Sequence, residues 1–382
     1  MPNLQWFVCL IAMTLFQPPL FQASSAFAAD QPMFVGTNAA QMGIYACTLD
    51  LATGEFGPAR AVGDAPRPGF LALHPKLPML YTISVEVEAR KKGLPSGGLR
   101  SFRIDSAAQR LTLVNQQSTG DEGTTHLALD PAGKVIVIAN YSGGSTSLLP
   151  LTAEGALKPL TSLVKHPGSS VHPNRQGKSH THGVAIDSAG QFACVADLGT
   201  DEVIVYRLNA EGKLERHTTW NAKPGAGPRH VSFHPNGRWL YCNNELDNTL
   251  TSLKFDAKAG ELTEMQTIGT LPSDFSGSNT TAEVVVHPSG RFVYCSNRGH
   301  DSTAVFAIDE GTGRLTFLET EPTQGGHPRF IGIEPSGNYL IAANRDADNL
   351  VSFQIDQKSG ELTPTGHQIR IPQPVCVVFP RK

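Results

Sequence analysis

The stretch AEVVVHPSGRFVYCSN, residues 282–297, carries the pattern that decides the fold. It consists of an apolar segment, a Pro-Ser-Gly turn and a second apolar segment that ends at Asn297. Short runs rich in β-branched and aromatic residues, bounded by turn residues, are typical of paired strands. The same pattern occurs in residues 69–84, 125–140, 182–197, 229–244 and 329–344. Such recurrence predicts an architecture built from repeated units.

The turns of these copies are evenly spaced. The position of Pro288 is taken elsewhere by Pro75, Pro131, Ser188, Pro235 and Pro335, at intervals of 47 to 57 residues. The C-terminal PVCVVFP is a first strand without successors, whereas the N-terminal MFVGTN, GIYACTLD and ARAVGDA have no first strand before them. We therefore predict an all-β, seven-bladed β-propeller with four-stranded blades. Its last blade is closed by N- and C-terminal strands, and it forms a single domain over residues 33–382.

Residues 1–28 stand apart from the repeats. The apolar run WFVCLIAMTLF is followed by small residues at Ala26-Phe27-Ala28, as in a secretory signal peptide and its cleavage site. The run is shorter than a typical membrane span. No Lys or Arg precedes it, and the alternative is a cytoplasmic protein translated from Met33. We favour a signal peptide over residues 1–28 and export to the periplasm or the extracellular space.

The composition narrows the range of partners and cofactors. The formal net charge is -3 and no basic run is present, so we expect neither nucleic acid nor a membrane as a partner. Outside the N-terminal run, the cysteines have neither the number nor the spacing of a disulfide framework or a zinc site. We interpret them as buried thiols, with one disulfide left open. They are Cys47, Cys194, Cys242, Cys295 and Cys376.

Aligning the copies gives columns of polar residues at one end of the propeller. The second strands end in a column that we interpret as turn chemistry, because Asn and Asp bond to nearby backbone and tolerate turn dihedral angles. This column is Asn140, Asp197, Asn244, Asn297 and Asn344. The adjacent columns instead hold a different ionisable residue in each blade. Convergent ionisable groups in a cleft indicate a site, although ion pairs between blades are the alternative for any single residue.

The residue types in these columns suit a small anionic substrate. Arginine forks bind carboxylate or phosphate, which would be the role of Arg229, Arg298, Arg329 and Arg345. Glu245 and Glu283 are candidate general bases. His126, His180, His182 and His230 are candidates for polarising a carbonyl or transferring a proton. His180 and His182 have the spacing of two metal ligands, but no third ligand is evident and we predict no metal.

Four segments resemble a known family. SHTHGVAIDSAGQFACVADLGTDEVIVY, GPRHVSFHPNGRWLYCNNEL, AEVVVHPSGRFVYCSNRGHDS and GHPRFIGIEPSGNYLIAAN are similar to the seven-bladed propeller lactonases. That family contains bacterial 6-phosphogluconolactonases and fungal 3-carboxymuconate lactonising enzymes. The resemblance extends from Met33 to the end of the chain, and it implies hydrolysis of a small acidic or sugar lactone.

The resemblance also implies a set of catalytic residues. These are His180 or His182, Arg229, Glu245 and Arg298. From the columns we add substrate-binding residues, namely His126, His230, Glu283, Arg329 and Arg345. We expect no cofactor, a small-molecule lactone as the substrate, and a monomer or weak homo-oligomer. A lactone-forming cycloisomerase and a non-catalytic exported binding propeller are the alternatives.

Overall fold

The computed structural model describes Met1 and residues 30–39, 43–105, 110–209 and 212–380. The predicted signal peptide lies outside this part of the chain apart from Met1. Within it, the elements in chain order are β1 (Gln31–Thr37), β2 (Ile44–Leu49), β3 (Arg60–Gly63), β4 (Leu71–Leu73), β5 (Met79–Val85), α1 (Val87–Lys91), β6 (Gly97–Asp105), β7 (Arg110–Ser118), β8 (Thr124–Leu129), β9 (Val135–Asn140), β10 (Ser145–Pro150), β11 (Ser162–Lys165), β12 (Thr181–Ile186), β13 (Phe192–Asp197), β14 (Glu202–Leu208), β15 (Leu214–Asn221), β16 (Pro228–Phe233), β17 (Trp239–Asn244), β18 (Thr249–Asp256), β19 (Glu261–Gly269), β20 (Thr280–Val286), β21 (Phe292–Arg298), β22 (Ser302–Ile308), β23 (Leu315–Pro322), β24 (Pro328–Ile333), β25 (Tyr339–Asn344), β26 (Asn349–Ile355), β27 (Leu362–Arg370) and β28 (Pro374–Val378).

These strands form seven antiparallel, four-stranded sheets arranged as a ring. Six sheets follow chain order, from β4–β7 to β24–β27. The remaining sheet has the order β28-β1-β2-β3, so the two terminal segments share it, and Val35 lies opposite Val377. The first strands of adjacent sheets contact one another around the ring and line its centre. The predicted seven-bladed propeller, closed by N- and C-terminal strands, is confirmed.

The recurring turn is held by the residue that precedes its proline. In residues 282–297 the amide N–H of Gly290 donates to the carbonyl of His287 at 2.8 Å, and Gly290 adopts a left-handed φ of 74°. The His287 ring also reaches the next blade, where Nε2 lies 2.8 Å from the carbonyl oxygen of Gly337. Because a glycine is needed at this φ, the Pro-x-Gly signature recurs, and the turn also ties adjacent blades together.

Apolar side chains fill the space between neighbouring sheets. Tyr294, for example, is fully buried among residues of its own blade and of the next, and its hydroxyl donates to the carbonyl of Gly360 at 2.9 Å. Full burial of one large apolar side chain stabilises a fold by roughly 1.5–3 kcal/mol. The cysteines that the structure describes are buried and unpaired, which agrees with the interpretation as thiols and leaves no disulfide among Cys47, Cys194, Cys242, Cys295 and Cys376. Across the described residues no helix is long and apolar enough to cross a lipid bilayer.

The Asn and Asp column has the predicted role at Asp197, whose Oδ1 accepts from the Gly199 N–H at 3.0 Å, but not at Asn244 and Asn297. Asn297 is fully buried, and its amide donates to the carbonyl of Thr270 at 2.9 Å. The amide of Asn244 donates to the hydroxyls of Thr249 and Thr251 on β18. The interpretation as turn chemistry is therefore wrong for these residues, whose buried bonds hold the next strand or the incoming loop. Left-handed backbone lies four residues further on, with φ of 55° to 59° at Asp201, Asn248, Asp301 and Asp348.

Candidate active site

A cavity of about 400 Å³ opens at one end of the central channel. It is bounded by the start of the inner strands and the end of the second strands, which the repeat alignment predicted to share one face. The lining residues are Thr125, Tyr141, Arg175, His182, Glu245, Thr280, Arg298, His327, Arg329 and Arg345.

A β-bulge in the inner strands aims side chains into this channel. The pairing of β16 with β17 skips Arg229, and the pairing of β24 with β25 skips Arg329. The corresponding skipped residues are Thr125 on β8 and His182 on β12. A bulged residue leaves the regular alternation of a strand, so its side chain is redirected. Each of these four residues lines the cavity or the chamber beneath it.

Glu245 stands at the centre of the charged groups. Its Oε1 lies 2.6 Å from Nη2 of Arg175, and its Oε2 lies 2.9 Å from Nε of Arg229 and 3.2 Å from Nη2 of Arg298. Burial alone would raise the pKa of Glu245, but the charges of Arg298, Arg229 and Arg175 outweigh it and lower the pKa to about 2. Glu245 is therefore an ionised anchor that holds three guanidinium groups in place.

The arginines carry more positive charge than Glu245 balances. Burial, with Arg298 and Arg329 nearby, lowers the pKa of Arg229 to about 9, and burial with Arg298 lowers that of Arg329 to about 10. Because arginine stays protonated in proteins, the lowered pKa values of Arg229 and Arg329 reflect first their burial and then the neighbouring positive charges. Binding of an anion would balance this excess of positive charge. The Nε atom of Arg298 is also buried without a hydrogen-bonding partner among the described residues.

A smaller chamber of about 10 Å³ lies beneath the cavity and shares Thr125, His182 and Arg329 with it. The Glu283 carboxylate lies here, with Oε1 2.9 Å from Nδ1 of His230. Burial raises the pKa of Glu283 to about 7. Burial and Arg229 lower the pKa of His230 well below its usual value, so this imidazole is neutral near pH 7 when no ligand is bound.

His126 and His180 do not line the cavity or the chamber in the way the columns predict. The His126 ring packs under the chamber against Phe70, with 3.9 Å between ring centroids, and its Nδ1 accepts from the Val184 N–H at 3.3 Å. His180 lies behind Tyr141, donates from Nδ1 to its carbonyl oxygen at 3.0 Å and stacks on its ring. Of the two family histidines, the structure therefore brings only His182 into the channel.

Arg175 and His327 line the cavity although the sequence analysis did not select them. Arg175 belongs to the loop between β11 and β12, which has no counterpart in the repeat, and Gln176 anchors that loop by donating to the carbonyl of Leu198 at 2.9 Å. Arg175 stands five residues before His180, so its proximity to the His-x-His segment was the available indication. His327 lies two residues before Arg329, within the quoted segment GHPRF.

Comparison with known proteins connects this geometry to a family. A family model described as "Lactonase, 7-bladed beta-propeller" matches residues 32–379. The chain belongs to this family. A 6-phosphogluconolactonase of Bacillus subtilis is 32% identical over 348 residues, which cover 91% of this chain and 97% of the relative. The predicted lactonase, a carboxylic ester hydrolase, is confirmed at this level.

Solved structures of similar proteins share the propeller. A periplasmic gluconolactonase of Pseudomonas aeruginosa superposes with a TM-score of 0.84 at 29% identity and covers 92% of this chain and 99% of its own. A putative 6-phosphogluconolactonase from Bacteroides fragilis gives 0.83 at 30% identity, over 94% of this chain and 99% of its own. Such neighbours support a lactonase of sugar metabolism with a small-molecule substrate.

Proposed function

We propose that this lactonase hydrolyses a sugar 1,5-lactone and prefers one that carries an anionic group. The observation that carries the proposal is the charge of the site. Five arginines and two glutamates line the cavity and the chamber beneath it, and Arg345 also pairs with Asp346 at 2.6 Å, which leaves two positive charges unbalanced. Arginine is the residue that best matches a phosphate or carboxylate, because its planar fork donates two parallel hydrogen bonds.

The arginines divide between two tasks in this proposal. Arg229 and Arg298 are buried and fixed by Glu245, which suits them to receive the oxyanion that forms when water attacks the lactone carbonyl. Arg175 and Arg345 are more exposed, with 34% and 27% of their side chains accessible, and lie at the rim. We assign these two to the anionic group of the substrate.

A panel of three substrates tests the proposal. We expect hydrolysis of 6-phosphoglucono-1,5-lactone with a kcat/KM roughly 10- to 100-fold above that of glucono-1,5-lactone, because a hydrogen bond to a charged group contributes about 1.5–3 kcal/mol. Proton release, corrected for spontaneous hydrolysis, measures both rates. Turnover of 3-carboxymuconate alone would assign the cycloisomerase reaction instead, and no turnover with any of the three would support the binding propeller.

We further propose that residues 1–28 direct export, since a small-residue site follows the apolar run at Ala26-Phe27-Ala28. An exported enzyme would meet a carboxylated aldonolactone in place of a phosphorylated one, and the rim arginines would then bind its carboxylate. A neighbour that is named as periplasmic supports this location. N-terminal sequencing of the protein from its native cell tests it. A mature chain that starts at Met33 or retains residues 1–28 would contradict cleavage.

A further inference from the structure

The pair of His230 and Glu283 lies at the floor of the site and has no part in the arginine cluster described above. The two side chains come from adjacent inner strands, β16 and β20. Both are buried, with 4% and 5% of their surface exposed, and Nδ1 of His230 is 2.9 Å from Oε1 of Glu283. The same oxygen also accepts from the Val284 N–H at 3.1 Å. A carboxylate oxygen with two donors is stabilised in its ionised form.

The far side of this pair is free to act on a ligand. Nε2 of His230 and Oε2 of Glu283 are buried, and neither has a hydrogen-bonding partner within the described residues. Nδ1 of His182, whose ring centroid is 5.1 Å from that of His230, is in the same condition. All three residues line the chamber of about 10 Å³, which is about the space of one water molecule with several polar neighbours.

We propose that His230 is the general base that activates the hydrolytic water, and that Glu283 is the positioning residue that orients its ring. This inference rests on the proposed lactone hydrolysis. With Glu283 ionised, Nδ1–H of His230 donates to the carboxylate, and the lone pair of Nε2 is directed away from it. A base oriented by a carboxylate behind it is the arrangement that activates nucleophiles in many hydrolases.

The chamber adjoins the cavity where the lactone would lie, because both are lined by Thr125, His182 and Arg329. A water in the chamber therefore lies beneath the carbonyl carbon of a lactone bound above it. Arg229, which also lines the chamber, is close enough to receive the carbonyl oxygen as charge develops on it.

The proton and electron pairs balance in two steps. Nε2 of His230 takes a proton as the water oxygen bonds to the carbonyl carbon, and the carbonyl π pair moves to the oxygen that the arginines hold. When the tetrahedral intermediate collapses, the ring C–O bond breaks, and the imidazolium returns the same proton to the departing ring oxygen. The product is the open-chain hydroxy acid, and His230 is neutral again.

Glu245, the other candidate base, is a poor proton acceptor. Three guanidinium groups lie within 3.2 Å of its oxygens, and they hold it ionised at a pKa of about 2. A general base needs a lone pair directed at the water, and both oxygens of Glu245 already face guanidinium groups, whereas Nε2 of His230 has no partner among the described residues. Glu245 therefore fits the role of holding the arginines, and the proton passes through the deeper pair.

This assignment predicts that kcat falls on the acidic side of the pH–rate profile, which we call the acidic limb. Burial raises the pKa of Glu283 to about 7. Below that pH the carboxyl group is protonated and donates to Nδ1 of His230. The ring then carries its own proton on Nε2, so Nε2 can no longer accept a proton from water. The titratable and charged groups that surround the pair from the neighbouring strands are His126, His182, Arg229, Glu245, Arg298 and Arg329. The positive members of this set limit how far the pKa of Glu283 rises.

The test compares His230→Gln and Glu283→Gln with the wild type and with Glu264→Gln. Glu264 is exposed on β19, far from the channel, and serves as the matched control. We expect His230→Gln to lower kcat by roughly 10²–10⁴-fold, the usual contribution of a general base. Glu283→Gln should lower kcat and remove the acidic limb near pH 7, while KM changes by less than about threefold in both. Calorimetric binding of 6-phosphogluconate and gluconate, together with thermal unfolding, shows that each variant is folded and retains its site.

A wild-type kcat and acidic limb in a folded His230→Gln variant would overturn the assignment. So would a Glu245→Gln variant that loses the limb while His230→Gln keeps it, because Glu245 would then be the base. The failure of the underlying function looks different, since in that case the wild type itself turns over none of the lactones. If His230→Gln does not fold, the pH profile of Glu283→Gln decides alone, and an unchanged limb refutes the pair.

Discussion

Replacing Glu245 by Gln removes the carboxylate that holds the arginines together. Glu245 is 3% exposed and contacts Arg175, Arg229 and Arg298, so its charge is nearly withdrawn from water. Breaking a buried ion pair by removing one partner typically costs about 3–5 kcal/mol, because the remaining charge stays buried without compensation. We therefore expect Glu245→Gln to lower the free energy of unfolding by about that amount at neutral pH.

Part of this difference depends on pH, and the sign follows from the direction of the pKa change. The pKa of Glu245 falls from 4.5 to about 2 on folding, which corresponds to about 3 kcal/mol at about 1.4 kcal/mol per pH unit. The folded value is depressed, so the contribution is complete above pH 4.5 and is lost as the pH falls towards 2. By pH 3.5 about 1 kcal/mol of it should be gone.

Urea unfolding followed by tryptophan fluorescence at pH 6 and pH 3.5 measures the effect. Urea is preferable to guanidinium because it adds no ions that screen charges. The difference between the wild type and Glu245→Gln should shrink by about 1 kcal/mol at the lower pH, whereas Glu264→Gln should show no comparable change. An equal difference at both pH values would refute the argument that the arginines hold Glu245 ionised.

Three further changes probe the site and the scaffold separately. Arg298→Ala should lower kcat/KM for the best lactone by at least roughly 10²-fold, and Arg298→Lys should recover little because lysine lacks the planar fork. Arg238→Ala, at an exposed position, serves as the control. Wild-type kinetics in Arg298→Ala would remove this residue from the mechanism. Asn297→Ala should lower the free energy of unfolding, measured in urea, by about 1–3 kcal/mol and leave KM unchanged, because the buried amide of Asn297 donates to Thr270 and does not line the cavity. A raised KM with normal stability would contradict this expectation. A thiol reagent should leave the five described cysteines unlabelled until urea unfolds the chain, because burial raises the pKa of each thiol. Rapid labelling of the native protein would show that one of them is accessible.

The propeller could be predicted from the sequence because its repeat is strong in the turns. Five blades have a left-handed glycine in this turn, at Gly133, Gly190, Gly237, Gly290 and Gly337, so the turn signature recurs even where the strands differ. The unmatched strands at the two ends then predicted the shared blade. The copy in residues 69–84 is looser, and its inner strand, β4, spans only Leu71–Leu73. Its turn also has Leu77 where the other copies have glycine, so this blade is the least regular copy of the repeat.

The repeat also located much of the site, because equivalent positions in a ring of blades face the same channel. His182, Arg229, Arg298, Arg329 and Glu245 converge as the columns predict. The depth of each group could not be predicted, because the columns place Arg298 and Glu283 at the same end of the channel without giving their depth in it. Three-dimensional packing places Glu283 in the chamber beneath the cavity. This difference in depth separates Glu245, which holds the arginines, from the pair of His230 and Glu283, which we propose as the base.

Other parts of the site depend on structure that the repeat does not encode. Arg175 belongs to a loop that is unique to one blade, so no column contains it. The choice between His180 and His182 is made by the bulge at His182, which a sequence pattern of period two cannot reveal. The prediction of turn chemistry is wrong at Asn297 and Asn244 for a similar reason, because burial converts these residues, which are typical of turns, into internal hydrogen-bonding groups.

At the bulges of the inner strands, residues that line the cavity take no part in the pairing of the strands that support it. A residue such as Thr125 is skipped by the strand pairing on β8, so its replacement changes the shape or charge of the cavity while the ladder of backbone hydrogen bonds is unaffected. Arg229 and Arg329 occupy the same kind of position in other blades. Substrate preference can therefore change during evolution, or by design, through single substitutions that leave the ring intact. Thr125 is the uncharged member of this set, so its replacement removes no buried charge.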